Sequence, residues 1–431
     1  MTPNKKTKNK KDLLQAPKGM RDLSGDTFYQ KQGFYEKAQE IAEYYGFSGT
    51  ELPILEHEEI FVKGVGDNTD IVEKEMYSLK TKGGSKLVMR PEGTAGIMRS
   101  YIEHGMGNQP QPVFLYYGGP FFRHERPQKG RYRQFYQFGL EIIGSERAVL
   151  DAITIQTGYQ IIKESGAEII VKINTLGDPE VRKEYLKILK AFYRKNKKYL
   201  SEKDLARLDT NPLRVLDSKE PDTKKINEQA PTIIDNLNIV SKKHFKSVLE
   251  YLEAAGIPYE IDHALVRGLD YYTHTVFEYV TLDKDGNQSI ALGGGGRYDG
   301  LAKSMGHNKD VPAVGLGLGV DRILEISKEG TYNPKIRKKA KFFFIQLGYE
   351  AKAKAFDIIE IMRKKHYPIK HSLSKNTLGA QLGTAETLGI PYTLIFGQKE
   401  AMDGTVIVRD MSTRKQKIIK ISELSDYLKT L

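Results

Sequence analysis

The sequence predicts a mixed α and β protein of several domains, and three observations predict it. Two stretches, 113–122 (VFLYYGGPFF) and 133–144 (RQFYQFGLEIIG), are rich in aromatic and β-branched residues and flank a basic turn, the pattern of a β-hairpin. From Asp178 to about Glu260 lysine-rich helical segments dominate, with prolines at 212, 221 and 231, which suggests an inserted helical subdomain. Beyond 341 strands and helices alternate, as in a compact α/β unit. At roughly 100–200 residues per domain, 431 residues make about two to four domains.

Taken in order, residues 28–47 predict an amphipathic helix, with Phe34, Ala38, Ile41, Ala42 and Tyr45 on one face. A turn at Gly46 leads into a strand, TELPILE, interrupted by Pro53. Proline lacks the ladder donor, so this strand belongs at an edge or an interface. After the hairpin come a helix over 149–165 and a strand over 168–173. Strands at 275–281 and 288–292 precede a glycine cluster at 293–296. A second cluster, GLGLG, spans 315–319, and a helix starts near Val320. The segment 336–341 (IRKKAK) is a plausible linker. Strand 342–346, helix 351–365, strand 368–371, helix 377–388 and strand 392–397 then follow.

Composition narrows the class. Hydrophobic residues make up 39%, a globular value, and there is no cysteine, which excludes disulfides and thiolate metal sites. No apolar run approaches the roughly 20 residues that span a bilayer, and the N-terminal MTPNKKTKNKKD has no apolar segment of a secretory signal. A cytoplasmic protein with a short disordered tail is expected. The net charge is +12, concentrated at the ends. Residues 1–15 carry five lysines and one aspartate, and residues 335–431 carry 19 basic and 9 acidic residues. A basic C-terminal unit points to a polyanion partner or to a solvated lysine-rich surface.

The hairpin carries the chemistry. Side chains alternate along its second strand, so Phe135, Gln137, Gly139 and Glu141 share one face, and Gln134, Tyr136, Phe138, Leu140 and Ile142 the other, which is nearly all apolar. The second face is core. The first offers an aromatic, two polar groups and a glycine, which in a strand often marks close approach of a ligand or another backbone. Arg123 and Glu125 share a face on the preceding strand, and the turn carries Arg126, Lys129, Arg131 and Arg133. Arginine binds phosphate oxygens bidentately, cations stabilise charge building at phosphorus, and Phe135 can stack on adenine. The chain has no GxxxxGK[ST] loop and no GxGxxG. His57-Glu58 opens like a zincin motif, but position 61 is phenylalanine.

These residues resemble a known family. FFRHERPQKGRYRQF (121–135) resembles motif 2 of class II aminoacyl-tRNA synthetases, in the form typical of the histidyl-tRNA synthetases. AVGLGLGVDRI (313–323) is similar to motif 3, and YGFSGTELPILE (45–56) to the dimer-forming motif 1. LVRGLDYYT (265–273) and GGGGRYDGL (293–301) are similar to the histidine-specific signatures, and MRPEGT (89–94) resembles the substrate-binding loop. The match runs in order over nearly the whole chain from Pro17.

The resemblance implies an α+β fold, with an antiparallel sheet of six or seven strands flanked by helices. It divides the chain into a tail (1–15), a catalytic domain (16–177 and 261–330), a helical insertion (178–260), a linker (331–340) and a C-terminal α/β anticodon-binding domain (341–431). It implies activation of L-histidine by ATP, transfer to tRNA(His), a homodimer and no membrane. Arg123 and Arg267 would be catalytic, at the α-phosphate, and would also contact the histidine, Arg267 at its reacting carboxylate. Glu125, Arg131, Phe135 and Arg322 would join Arg123 in holding ATP, with Arg322 over adenine as a cation–π contact. Glu92, Gly93, Thr94 and Gln137 would receive the amino acid's backbone. Glu141 and Tyr272 would read the imidazole, with Tyr271 beside them, although in a strand the two tyrosines face opposite ways. Arg297 and Tyr298 receive no role. Mg²⁺ accompanies ATP in this class, with no ligand singled out. The helix NTLGAQLGTAETLGI lacks the family's lysine-rich pattern, so no anticodon contacts are assigned. The regulatory subunit of ATP phosphoribosyltransferase is the alternative. It shares the catalytic fold but has lost synthetase residues and the anticodon domain, all of which have counterparts here.

Overall fold

The structure, a computed structural model, describes residues 14–66, 69, 71–128, 130–283, 285–328 and 330–431. The tail lysines and Lys129 lie outside the described residues. The chain divides into two compact units between Pro334 and Lys335.

In the first unit, helix α1 (Gly25–Tyr44) buries Phe34, Ala38 and Ala42 at the predicted spacing, with Ile41 and Tyr45 at the margin. The expected strand through Pro53 is instead two pieces, β1 (Ser48–Gly49) and β2 (Leu55–His57), in different sheets. Proline has no N–H to donate, and the chain changes sheets around it. β2 forms a small antiparallel sheet with β3 (Tyr77–Lys80) and β4 (Lys86–Met89), in the order β2-β4-β3. Helices α2 (Glu58–Val65) and α3 (Thr94–Glu103) pack together beside it.

The main sheet adds β5 (Val113–Phe122), β6 (Gln134–Ile143), β7 (Ile169–Thr175), β8 (Tyr259–Ile261), β9 (Thr273–Leu282), β10 (Gln288–Arg297) and β11 (Ala313–Gly319). Its order is β1-β5-β6-β11-β10-β9-β7-β8. The six central strands are antiparallel. The two short edge strands, β1 and β8, are parallel to their neighbours and bring the total to eight. β5 and β6 form the predicted hairpin, pairing from Val113–Ile143 to Phe122–Gln134. One face of the sheet carries Phe138, Leu140 and Ile142 into a core with α1, helix α4 (Ala148–Lys163) and their neighbours. The opposite face holds the polar groups described below.

The inserted segment contains α5 (Pro179–Lys195), α6 (Glu202–Thr210), α7 (Leu213–Leu216) and α8 (Pro221–Asn227) around its own core of Tyr185, Leu189, Tyr193, Leu208 and Val215. Helix α9 (Ile239–Ala254) falls within the expected insertion, yet Phe245, Val248 and Leu252 join the core of the main sheet. Their spacing shows an apolar face but not which core it meets. Helices α10 (Leu301–Ser304) and α11 (Val320–Ile326) complete the unit.

The second unit is an α/β domain. Strands β12 (Phe342–Gln346), β13 (Ile369–His371), β14 (Tyr392–Phe396), β15 (Thr405–Asp410) and β16 (Gln416–Lys420) stand in the order β13-β12-β14-β15-β16. Every residue of β12 is buried, because helices cover both faces. Phe342 and Phe344 pack with α12 (Tyr349–Lys364), α14 (Gln398–Asp403) and α15 (Ile421–Leu428). Phe343 and Ile345 meet Ala385 of α13 (Leu378–Thr387) on the other side.

Candidate active site

The hairpin's connecting segment forms one wall of a cavity of about 210 Å³. Arg123, Glu125, Arg131, Phe135 and Arg322, expected at ATP, all line it, and so do Arg267 and Gln137, expected at the reacting groups and at the amino acid. Arg123 and Glu125 do not share a strand face, however. β5 ends at Phe122, and both residues lie in the following loop. Arg123 is held there by its backbone, whose N–H donates to Arg133 O at 2.9 Å, and by Nε, which donates to Pro91 O at 2.9 Å. Its guanidinium lies 5.3 Å from the Phe135 ring centroid. Glu125 faces Arg131 at 3.5 Å and Arg123 at 3.9 Å.

Arg322 comes from the first turn of α11, directly after the GLGLG strand. Its Nη1 donates to Ala291 O at 2.7 Å and its Nε to Gly130 O at 3.3 Å. The neighbouring Asp321 ties α11 to the hairpin by accepting from Tyr136 N at 2.7 Å, and it pairs with Arg21. Arg21 in turn lies 3.5 Å over the Tyr132 ring. Arg21 and Asp321 are contacts the sequence did not disclose.

The glycine run 293–296 is neither a bend nor a loop but the end of β10. Gly294 pairs with Glu278, and a Cβ on Gly294 would come within 2.9 Å of Arg267 Nη1. A Cβ on Gly296 would come within 2.9 Å of the Tyr272 ring. Bare backbone therefore lets Arg267 and Tyr272 lie flat on the sheet. Arg267 is fixed by donation from Nη1 to Glu278 Oε1 at 2.9 Å. Glu278 also lines the cavity and went unnoticed in the sequence. Four arginines thus face two cavity carboxylates, Glu125 and Glu278, besides the committed Asp321, a balance that favours a polyanion.

Buried Glu92, Glu141, Tyr271 and Tyr272, with the half-buried Thr94, form a polar cluster in the same unit and do not line that cavity. Glu141 is its centre. Tyr298 Oη donates to Oε2 at 2.5 Å, while Thr94 Oγ1 and Tyr117 Oη donate to Oε1 at 2.8 and 3.1 Å. Burial pushes the Glu141 carboxyl up to about 8. The Tyr298 and Thr94 hydrogen bonds oppose the shift, and the nearby Glu92 adds to it.

Gly139 does not leave room for a ligand: the Tyr117 ring fills its place, 2.2 Å from where a Cβ would stand. The same ring stands 2.2 Å from the corresponding position at Gly93. Tyr117 is one of five aromatics in one strand, so the sequence pattern does not single it out, and the motif resemblance assigns Tyr298 no role.

Glu92 caps α3. Its Oε2 accepts from Thr94 N at 2.7 Å and its Oε1 from Ala95 N at 2.9 Å. Burial raises its pKa; those backbone donors and Arg123 work against the rise. Tyr271 and Tyr272 precede β9 rather than lying in it, so strand alternation does not separate them. Their rings are 4.7 Å apart, and Tyr271 is 5.6 Å from Tyr298. Burial pushes both phenols up, so they remain neutral donors.

A pH test follows from Glu141. The folded protein keeps that proton up to about pH 8, whereas an unperturbed carboxyl releases it at 4.5. Between those values the unfolded chain binds fewer protons, so this group's contribution to stability falls as pH rises. Glu141→Gln removes the titration. The stability of wild type relative to Glu141→Gln is expected to decline steadily from pH 5 to 8 in thermal melts; a flat difference contradicts the burial argument.

Comparison with known proteins covers nearly the whole chain. The family model described as histidyl-tRNA synthetase matches residues 19–323, and the anticodon binding domain model matches 341–431. A histidine–tRNA ligase of Caldicellulosiruptor bescii is 39% identical over 417 residues, covering 96% of this chain and 98% of its own. One from Clostridioides difficile is 36% identical over 418 residues, covering 97% and 99%. The crystal structure of apo S. aureus histidyl-tRNA synthetase superposes with a TM-score of 0.79 at 31% identity, over 96% of this chain and 99% of that one. A structure titled as an ATP phosphoribosyltransferase regulatory subunit/histidyl-tRNA synthetase from Bacillus halodurans C shares the fold at 22% identity, with a TM-score of 0.62 over 86% of this chain and 96% of that one.

Proposed function

This chain belongs to the histidyl-tRNA synthetase family, and from that premise we propose how its residues divide the work. The chain is an ATP-dependent ligase that activates L-histidine and transfers it to tRNA(His). The observation that carries the residue assignment is the convergence of Arg123, Arg131, Arg267, Arg322 and Phe135 on one cavity.

In the first step a carboxylate oxygen of histidine attacks the α-phosphorus of ATP. The new P–O bond forms as the bond to the β-phosphate bridge breaks, and the electron pair leaves with pyrophosphate. The carboxylate is already ionised, so no general base is needed. Arg123 and Arg267 hold the α-phosphate and stabilise the charge that grows on it. Arg131 meets the outer phosphates. Phe135 and Arg322 enclose adenine, and Glu125 receives its amino group. Glu92, beside Gly93, Thr94 and Gln137, accepts the α-ammonium through lone pairs its backbone partners leave free. Glu141 and Tyr272 bond the two imidazole nitrogens, with Tyr271 closing the pocket. A site built this way rejects analogues lacking those groups by roughly 10⁴–10⁵.

Mg²⁺ bound with ATP would neutralise phosphate charge. Glu278, held by Arg267 in this structure, would offer an oxygen donor of the kind the ion takes. We take the protein to act as a homodimer in the cytoplasm. Tyr44, Ile54 and Leu55 are exposed around the segment similar to motif 1. Among the described residues no helix is long and apolar enough to cross a membrane.

The second unit, with its own core, is read as the anticodon grip. A chain ending at Pro334 is expected to keep histidine-dependent pyrophosphate exchange but to lose tRNA charging by about 100-fold or more, since two-point attachment is lost. Equal loss of both activities contradicts the anticodon role.

A further inference from the structure

The segment 262–272 carries Arg267, Tyr271 and Tyr272 and forms no helix or strand. Its first half is held by the main sheet, where Asn174 Nδ2 donates to His263 O at 3.3 Å and Leu265 O at 3.1 Å. The half that bears the site residues is held mainly from the insertion. Arg182 Nη1, on α5, donates to Asp270 O at 3.0 Å and Tyr272 O at 3.2 Å. Asn211 Nδ2, just after α6, donates to Asp270 Oδ1 at 2.8 Å. Arg214 Nη2, on α7, donates to Gly268 O at 2.9 Å. The main body adds Val65 O, which accepts from Asp270 N at 3.2 Å.

The clamp has a fixed base. Asp178 caps α5, accepting from Glu180 N and Val181 N at 3.0 and 2.9 Å. The same carboxylate accepts from Asn238 Nδ2 at 2.5 Å and Ser241 Oγ at 3.1 Å, at the start of α9. α9 is packed in the main core. The insertion is therefore stapled where it leaves and where it returns, and Arg182 stands one turn above the staple.

We propose that Arg182, Asn211 and Arg214 are positioning residues for adenylate formation: through the backbone at 268–272 the insertion sets where Arg267 and Tyr272 stand. The proposal rests on the synthetase reading. None of the three touches the reacting atoms. They act by fixing a loop whose displacement by about 1 Å costs on the order of 100-fold in rate.

The test is steady-state histidine-dependent pyrophosphate exchange by the full chain. Arg182→Ala is expected to lower kcat by about 10–100-fold and Asn211→Ala by about 10-fold, with the KM values for ATP and histidine little changed. Arg182→Lys keeps a donor and recovers part of the loss. In an Arg267→Ala background each substitution costs less than it does in wild type, because part of its effect runs through Arg267. Multiplicative losses in that background, or wild-type kcat in both variants, overturn the proposal. Should Arg182→Ala fail to fold, Asn211→Ala and Arg214→Ala, whose side chains are not buried, decide the matter by the same criteria. Wild-type protein without exchange overturns the synthetase reading and the proposal with it. Wild-type exchange with unaltered variants overturns the proposal alone.

Discussion

Arg267→Ala is expected to lower the rate of histidyl-adenylate formation by about 100–1,000-fold, measured as pyrophosphate exchange or single-turnover ATP consumption. Arg267 lies on the bare backbone of Gly294, lines the nucleotide cavity and is aimed by Glu278. Its charge is needed most when negative charge spreads over the α-phosphate, so the loss belongs in kcat more than in KM. Folding stability changes little. The arginine and Glu278 keep 21% and 29% of their side-chain surface exposed, so water reaches Glu278 when its partner is removed. A variant as active as wild type rules out the catalytic assignment.

Asp151→Ala is expected to destabilise the protein by about 3–5 kcal/mol in chemical denaturation. Arg297 and Asp151 form a buried ion pair at the end of β10, and Arg297 also donates to Asp299 at 3.1 Å and to Ser145 O at 3.1 Å. Burial pushes the Asp151 carboxyl up, but Arg297 and His244 outweigh it and hold the group well below the usual carboxylate range. Removing the aspartate leaves an arginine with no water and one carboxylate fewer. Tyr298 follows Arg297 directly, so the pair also fixes the residue that donates to Glu141. Asp151→Leu combined with Arg297→Met is expected to recover much of the loss, since a well-packed apolar replacement of a buried pair is often neutral. Undiminished stability in Asp151→Ala contradicts this role.

Local pattern carried some of this and not the rest. The hairpin was legible because alternation along β6 separates Phe138, Leu140 and Ile142 from Phe135, Gln137 and Glu141. The structure keeps that division, with the first set in the helix-covered core. The place where β5 stops was not legible: nothing in FFRHER marks Phe122 as the last paired residue. At Gly139 a strand glycine says only that something comes close, a ligand or another backbone. Here that neighbour is Tyr117, directly opposite across the ladder. The glycine cluster at 293–296 makes sense only once β9 and the segment bearing Arg267 and Tyr272 are folded against it. The Asp151–Arg297 pair spans 146 residues, and no spacing rule reaches that far. Motif resemblance bridged such distances for Arg123, Arg267 and Arg322. It was silent on Tyr117, Glu278 and the insertion's hold on the loop.

The central claim is that the arginine-lined cavity and the neighbouring Glu141 cluster together join ATP to histidine, and its most direct measurement is ATP–pyrophosphate exchange by the purified full chain with Mg²⁺ and each of the twenty amino acids in turn. The account predicts exchange with histidine and at least roughly 10⁴-fold less with any other. Folded protein that gives no exchange with histidine, or exchanges equally well with another amino acid, contradicts it.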